Sequence, residues 1–316
     1  MGAQMADAPV ADVLVALSGG PDSLALAAAT AFEASRAGLR AGAVIVDHGL
    51  QAGSADVAVR AADQVRELGL DPVIVKTVTV GTEGGPEAAA RTARYAALAE
   101  AAAESGASAV LLGHTLDDQA ETVLLGLARG SGSASLRGMA GETWSASANV
   151  RYLRPLLGIR RETTVQFCID SGLEPWRDPQ NDDPSFTRVR LRNTVLPLLE
   201  TELGPGIAEA LARTAEQVRE DSEALDHCAE EQVEELADHA EAGISLSVRG
   251  LADKPAALRQ RIIRLAVASE FGVSLSRAQT LAVARLVTDW HGQGALDLPG
   301  VRVVRSGGLL LFSARG

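Results

Sequence analysis

The sequence predicts an α/β fold: a parallel sheet opened by a phosphate-binding turn, followed by a helical connector and a small α+β C-terminal domain. Three observations predict it. Short apolar runs of the buried-strand type alternate with helical runs over residues 13–128. The first run, Val13-Leu14-Val15-Ala16-Leu17, ends in Ser18-Gly19-Gly20-Pro21-Asp22-Ser23 before a helical stretch begins. A long acidic amphipathic stretch then separates this part from a tail with helical and short strand patterns.

Taken in order, Val13–Leu17 reads as a strand and Leu24–Ala29 as the start of a helix. In the turn between them, glycines let a backbone approach a phosphate with no Cβ in the way. The free N–H groups of the helix's first turn point at such an anion, and the helix dipole favours it. An ordinary glycine-containing βα turn accounts for the two glycines equally well. The stretch is not a Walker loop, since Gly-x4-Gly-Lys-Ser/Thr is absent and the chain's two lysines are Lys76 and Lys254. Ala43–Val46 is a second strand ending at Asp47-His48-Gly49-Leu50, Ala55–Leu68 a helix, and Val73–Val75 a third strand. Glu87–Glu104 is alanine-rich and helical, Ala109–Gly113 a fourth strand, and Asp117–Ala128 a further helix. Such alternation argues a Rossmann-like parallel sheet covered on both faces, with ligands at the carboxyl ends of its strands. Ser18, Asp47, His48 and His114 all fall on that edge.

Between Arg129 and Arg192 the pattern loosens into loop signals at Gly130–Ser135 and Asp178–Pro184. From Ile207 onward, Ile207, Leu211, Val218, Leu225, Val233 and Leu236 mark one face of a long helix, broken at most once. Pro255–Phe271 and Ser276–Trp290 suggest two more helices, and Ala295–Ser313 short strands turning at Pro299-Gly300 and Gly307-Gly308. The organisation expected is a nucleotide-binding domain over 1–198, an acidic connector over 199–243 and a small domain over 244–316.

Composition bounds the function class. With 47% hydrophobic and 22% charged residues the 316-residue chain has ample core material, and no run reaches the ~20 apolar residues that cross a bilayer. The first residues carry Asp7 and Asp12 and no basic residue, unlike a secretory signal. Cys168 and Cys228 stand sixty positions apart and read as buried thiols of a cytoplasmic protein rather than a disulfide frame or metal site. The net charge of −12 is concentrated: Glu200–Glu241 holds fourteen acids against two Arg, so the remainder sums to zero. Within that remainder Arg129–Arg161 has six Arg and one Glu, and the tail from Ala242 has ten bases and four acids. A polyanion can meet these basic surfaces while avoiding the acidic stretch, although a solvated surface explains them too.

Two further stretches carry chemistry. Gly113-His114-Thr115-Leu116-Asp117-Asp118-Gln119-Ala120-Glu121-Thr122 brings a histidine to the sheet edge and sets Asp118 and Glu121 on one helical face. Paired carboxylates there can bind metal, hold an ammonium group or move protons; alternatively Asp117 caps the helix and Glu121 completes the cap. Glu87, Arg91 and Arg94 share a face of the preceding helix. They form a surface pair, or aim an Arg at phosphate.

The string Ser18-Gly19-Gly20-Pro21-Asp22-Ser23 resembles the PP-loop of the ATP pyrophosphatases. Together with Asp47-His48-Gly49-Leu50, Glu87–Tyr95, Gly113–Thr122, Leu127–Gly132, Arg154-Pro155-Leu156-Leu157 and Asp178–Arg192, the set resembles the tRNA(Ile)-lysidine synthetase family from residue 13 to about 198. One departure is Val189, where that family often has Asn between its arginines. The resemblance implies a reaction in which the wobble cytidine of a CAU-anticodon tRNA attacks ATP through its C2 oxygen. Pyrophosphate leaves, and the ε-amine of free lysine then displaces AMP. It implies ATP binding by Ser18–Ser23, Asp47, His48 and His114, with Asp22 supporting Mg²⁺ and Arg94, rather than Arg91, stabilising charge during adenylation. Asp118 and Glu121 would hold L-lysine's ammonium and Arg190 its carboxylate, while Arg129, Arg188 and Arg192 would meet tRNA. The expected enzyme is cytoplasmic, touches no membrane and admits a homodimer.

Two other classes compete. Related loops occur in amide ligases and RNA thiolases, but no amidotransferase segment is apparent and two scattered cysteines do not suit a thiolase. A nucleotide-binding sensor would leave Asp118, Glu121 and the arginine-rich segments without a role.

Overall fold

The computed structural model describes residues 10–49, 53–81, 85–130, 132–240 and 243–315, with 86, 87, 239 and 240 as backbone. Leu50, the Glu87 side chain and Ser131, all within stretches singled out above, lie outside the described residues. The chain divides into two compact units, Met1–Glu216 and Gln217–Gly316.

The first unit begins β1 (Val13–Leu17), α1 (Pro21–Ala37), β2 (Ala41–Asp47), α2 (Ser54–Glu67), β3 (Val73–Thr77), α3 (Pro86–Ser105), β4 (Ala109–Leu112) and α4 (Leu116–Ala128). There follow α5 (Ser133–Leu136), the hairpin of β5 (Glu142–Ser145) and β6 (Val150–Leu153), then α6 (Arg161–Asp170), α7 (Thr187–Arg190) and α8 (Leu196–Leu203). The sheet order is β3-β2-β1-β4-β6-β5, parallel except for the edge strand β5. Central β1 carries both cores by strand alternation. Leu14 and Ala16 face Leu98, Ala101 and Val110 on one side. Val15 and Leu17 face Leu24, Ala27, Ala61 and Val65 on the other. The direction in which strands are added to the sheet reverses between β1 and β4, which pair parallel from Val13 with Ala109 to Ala16 with Leu112. Ligands bind at such a switch point.

Helix α6 lies in the stretch where the sequence pattern loosens. Its fully buried residues are Thr164 and Cys168, so it shows no apolar periodicity. It packs on α1, where Cys168 Sγ lies 3.4 Å from the Pro21 carbonyl.

The long helix α9 (Ile207–Leu236) runs 30 residues without a break. It contains neither Gly nor Pro and is rich in Ala, Glu and Leu, which hold a helix well. Cys228 lies exposed on it, contrary to the expectation of two buried thiols; Cys168 is buried.

The second unit adds β7 (Ala237–Ala240), β8 (Gly243–Ser247), α10 (Val248–Ala252), α11 (Ala256–Phe271), α12 (Arg277–Thr288), β9 (Leu296–Leu298), β10 (Val301–Ser306) and β11 (Leu309–Ala314). These strands form an antiparallel sheet, β7-β8-β11-β10-β9. Ile262, Ile263, Val283, Leu246, Val303 and Leu310 fill its core. Among the described residues no helix is long and apolar enough to cross a membrane.

Candidate active site

Strand β1 delivers Ser18 to the switch point. Gly19 then takes φ +81°, a conformation that favours glycine, and Gly20 caps α1 with Pro21 at its first position. The loop is braced from within. Ser23 Oγ donates to the Gly20 carbonyl at 3.0 Å and accepts the Ser18 amide at 3.2 Å. Ser18 Oγ lies 3.1 Å from Ser23 Oγ. Outside the loop, the Trp176 amide donates to the Gly19 carbonyl at 2.9 Å. Trp176 is a site residue that motif reading missed; its signal was an aromatic in a chain with only 3% of them.

Gly113, at the end of β4, explains why a glycine precedes His114. A Cβ there would stand 3.1 Å from the Ser23 amide nitrogen and 3.2 Å from the Asp22 backbone. Gly113→Ala is therefore expected to push the phosphate loop and raise the KM for ATP about tenfold. Pyrophosphate release measured against ATP concentration checks this, and an unchanged KM would contradict it.

Beside the loop lies a cavity of about 270 Å³ whose polar lining includes Ser18, Asp47, His48, Arg94, Asp178 and Gln180, with Trp176. Asp47 Oδ1 accepts the Gly49 amide at 2.9 Å. Arg94, half-buried, makes no ion pair with a carboxylate among the described residues. Burial pushes its pKa down and Arg91 adds to this, against Tyr95. Burial likewise lowers His48, with Arg94 adding to it against Asp47. Arg94 thus brings to the cavity a guanidinium with no carboxylate seated on it among the described residues, beside Asp47 and Asp178 in the same lining.

His114 lies among Asp118, Arg94, Arg154 and Arg91. Burial, helped by the three arginines and opposed by Asp118, lowers its pKa from 6.5 to about 4. Its buried Nδ1 has no hydrogen-bond partner among the described residues. Between those two pH values the unfolded chain holds the proton that the folded imidazole refuses. Stability therefore falls as pH drops from 6.5 towards 4. His114→Gln is expected to flatten that part of the slope in urea midpoints, and equal slopes would contradict it.

On the other side of the loop a charge cluster is closed by Arg161, the first residue of α6. Arg161 Nη2 lies 2.6 Å from Asp118 Oδ1, Nη1 3.4 Å from Glu121 Oε1 and Nε 3.2 Å from Asp22 Oδ2. Arg192 joins it, with Nε 2.7 Å from Glu121 Oε1 and Nη2 3.3 Å from Asp118 Oδ1. Glu121 is completely buried. Burial opposes the Arg161 charge, but Asp118, Glu121 and Asp22 outweigh it and raise its pKa. Burial alone would raise Asp118; Arg161, the Thr115 amide and Arg192 hold it below its usual range. At Asp22, burial wins over Thr164 and Arg161, and the pKa is raised.

The helix cap falls to other residues than the sequence alternative named. Thr115 is the N-cap and Asp118 closes a capping box, accepting the Thr115 amide at 2.8 Å. Asp117 instead accepts the Arg161 amide at 2.7 Å and pairs with Arg160 at 3.3 Å. Buried Arg154 is a strut, donating to the Ala140 carbonyl at 2.9 Å and the Tyr95 hydroxyl at 3.4 Å.

A second cavity, of about 630 Å³, is lined by Arg91, Arg129, Arg188, Arg192 and Phe186, and shares Asp178 and Gln180 with the first. Arg188 and Arg192 line it together because residues 187–195 are helical and i, i+4 positions share a face. For the same reason Arg190, two positions on, faces away. Arg190, expected from the sequence to hold a lysine carboxylate, is therefore not brought beside Asp118 and Glu121. Its guanidinium donates to the Pro184 and Ser185 carbonyls at 2.6 and 2.9 Å, and Arg192 meets Asp118 and Glu121 instead.

Residues 2–199 match the PP-loop domain model, and residues 246–311 match the TilS substrate binding domain model. The chain is 66% identical over 306 residues to a tRNA(Ile)-lysidine synthase of Leifsonia xyli subsp. xyli, covering 96% of this chain and 90% of that one. It is 55% identical to the tRNA(Ile)-lysidine synthase of Thermobifida fusca (92% and 87% covered) and 53% identical to that of Streptomyces coelicolor (96% and 85%). A solved structure of the U34-tRNA thiolase NcsA from Methanococcus maripaludis superposes with a TM-score of 0.52 at 21% identity, covering 67% of this chain and 73% of that one. That likeness bears on the fold alone. The PP-loop match takes in well over half of the chain, and near-full-length relatives exceed half identity; the chain belongs to the tRNA(Ile)-lysidine synthase family.

Proposed function

We infer that the chain is an ATP-dependent ligase that forms lysidine at the wobble cytidine of a CAU-anticodon tRNA(Ile). One observation carries this reading: a braced phosphate loop, an Arg94 with no ion pair among the described residues and the Asp118–Glu121 carboxylates meet at one end of the sheet. ATP lies with its β- and γ-phosphates on Ser18–Ser23 and its nucleoside in the cavity lined by Asp47, His48 and Trp176. Mg²⁺ bound to the triphosphate would be met by the loop carboxylate of Asp22 together with phosphate oxygens, and would offset charge on the leaving pyrophosphate. The cytidine enters from the arginine-lined cavity of Arg129 and Arg188. Its C2 oxygen attacks the α-phosphorus, the α–β anhydride bond breaks and pyrophosphate leaves. Arg94 supplies positive charge where negative charge builds up. The lysine ε-ammonium docks against Asp118 and Glu121 and gives one proton to solvent water; the free amine then attacks C2, the C–N bond forms and the C2–O bond breaks, releasing AMP. No protein nucleophile is needed, because positioning and charge do the work.

On this reading residues 1–198 hold the chemistry, 199–243 connect, and 244–316 offer exposed arginines such as Arg249, Arg277 and Arg285 to tRNA phosphates. ATP and tRNA as substrates support a cytoplasmic enzyme. The test is transfer of labelled lysine to transcripts. A CAU-anticodon tRNA(Ile) should gain alkali-stable label only with ATP, and a transcript with another wobble base should gain none. Label lost in mild alkali would mean a 3′-terminal ester and contradict the reading.

A further inference from the structure

Three carboxylates that the reaction gives to different substrates converge on one guanidinium. Asp22 begins α1 beside the phosphate loop, Asp118 and Glu121 sit on α4, and Arg161 reaches all three within 3.4 Å. The Arg161 side chain is 19% exposed and Glu121 0%, so these charges face one another with little water between them. The start of α6 is itself pinned at both ends of this contact. The Arg161 amide donates to Asp117 on α4, and the Thr164 hydroxyl donates to Asp22 on α1. A planar guanidinium can address several carboxylates at fixed angles, which an ammonium cannot. Without it, buried carboxylates would lose their main counter-charge and move apart or take up protons.

Charge counting points the same way. Asp22, Asp118 and Glu121 stand against Arg161 and Arg192, leaving one negative charge. One ammonium group neutralises that remainder. Arg161 therefore leaves the cluster able to accept a single cationic amine while keeping its carboxylates at a fixed spacing from the phosphate loop.

We propose that Arg161 is a positioning residue for both half-reactions, fixing the distance between Asp22 at the triphosphate and the Asp118–Glu121 pair at the incoming amine. The proposal rests on the function inferred above. Its test uses Arg161→Ala and Arg161→Lys in the full chain, with pyrophosphate release and lysine transfer followed separately and melting checked for each variant. Arg161→Ala should raise the KM for lysine and slow adenylation, each by about tenfold or more, as expected for losing charged hydrogen bonds. Added guanidinium ion at non-denaturing concentration should restore part of both, and Arg161→Lys should fall between wild type and Ala. If Arg161→Ala does not fold, Arg161→Lys decides: a raised lysine KM supports the proposal and an unchanged one overturns it. A fall in kcat alone, with the lysine KM unchanged and no response to guanidinium, would also overturn it. Wild-type enzyme that transfers no lysine would contradict the function itself; a working wild type with insensitive Arg161 variants would overturn this proposal alone.

Discussion

Arg94→Ala is expected to slow tRNA-dependent pyrophosphate release by about 10²–10³-fold, the range seen when one group that stabilises transition-state charge is removed. The fold should not suffer. Arg94 makes no ion pair with a carboxylate among the described residues, and burial already works against its charge. Replacing such a cation removes a desolvation penalty rather than a bond. The melting temperature should therefore hold or rise while the rate collapses. Arg91→Ala provides the contrast. Its guanidinium stacks over the Tyr95 ring at 4.9 Å and lines the larger cavity, so its loss should weaken tRNA binding more than adenylation. Quenched-flow pyrophosphate release and a thermal melt on each variant check both statements. An Arg94→Ala enzyme that adenylates at the wild-type rate would remove Arg94 from the chemistry.

Glu121→Gln should have the largest combined effect on lysine use and stability. Glu121 is fully buried, with Arg192 Nε 2.7 Å and Arg161 Nη1 3.4 Å from Oε1 and Arg192 Nη2 3.2 Å from Oε2. The amide keeps the shape but leaves two partly buried guanidiniums short of one negative charge. Breaking a buried pair in this way costs about 3 kcal/mol. The cluster's net charge also rises by one, so a cationic amine is no longer attracted. Urea unfolding should show the lost stability, and the KM for lysine should rise steeply while the KM for ATP moves little. Equal shifts in both constants would mean that the pair does not distinguish the two substrates. Asp118→Asn should also perturb the start of α4, because that carboxylate accepts the Thr115 amide as well as the arginine contacts.

What was legible in the sequence follows from range. The strands at 13–17, 41–47, 73–77 and 109–112 announce themselves through local apolar runs, and the loop at Ser18–Ser23 through a local string. The parallel pairing of β1 with β4 brings Ser18 and His114 to one end of the sheet, where the motifs place them. Helix α6 was hidden because Thr164 and Cys168, rather than a leucine stripe, occupy its buried face. Arg161 was invisible for a different reason: its partners lie 139, 43 and 40 positions away, and nothing local marks it. That Arg192 rather than Arg190 meets Asp118 and Glu121 turns on whether residues 187–195 are loop or helix. Only a helix puts two arginines four apart on one side and the third opposite.

The central claim is that an RNA base, activated by ATP, receives lysine at C2. The direct measurement is nuclease digestion of tRNA(Ile) transcript after reaction with enzyme, ATP and isotope-labelled lysine, followed by mass analysis of the wobble nucleoside. The account predicts cytidine carrying one labelled lysine with loss of one water, formed in step with AMP. Unmodified cytidine at the wobble position, in a reaction that nonetheless releases AMP and pyrophosphate, would contradict it.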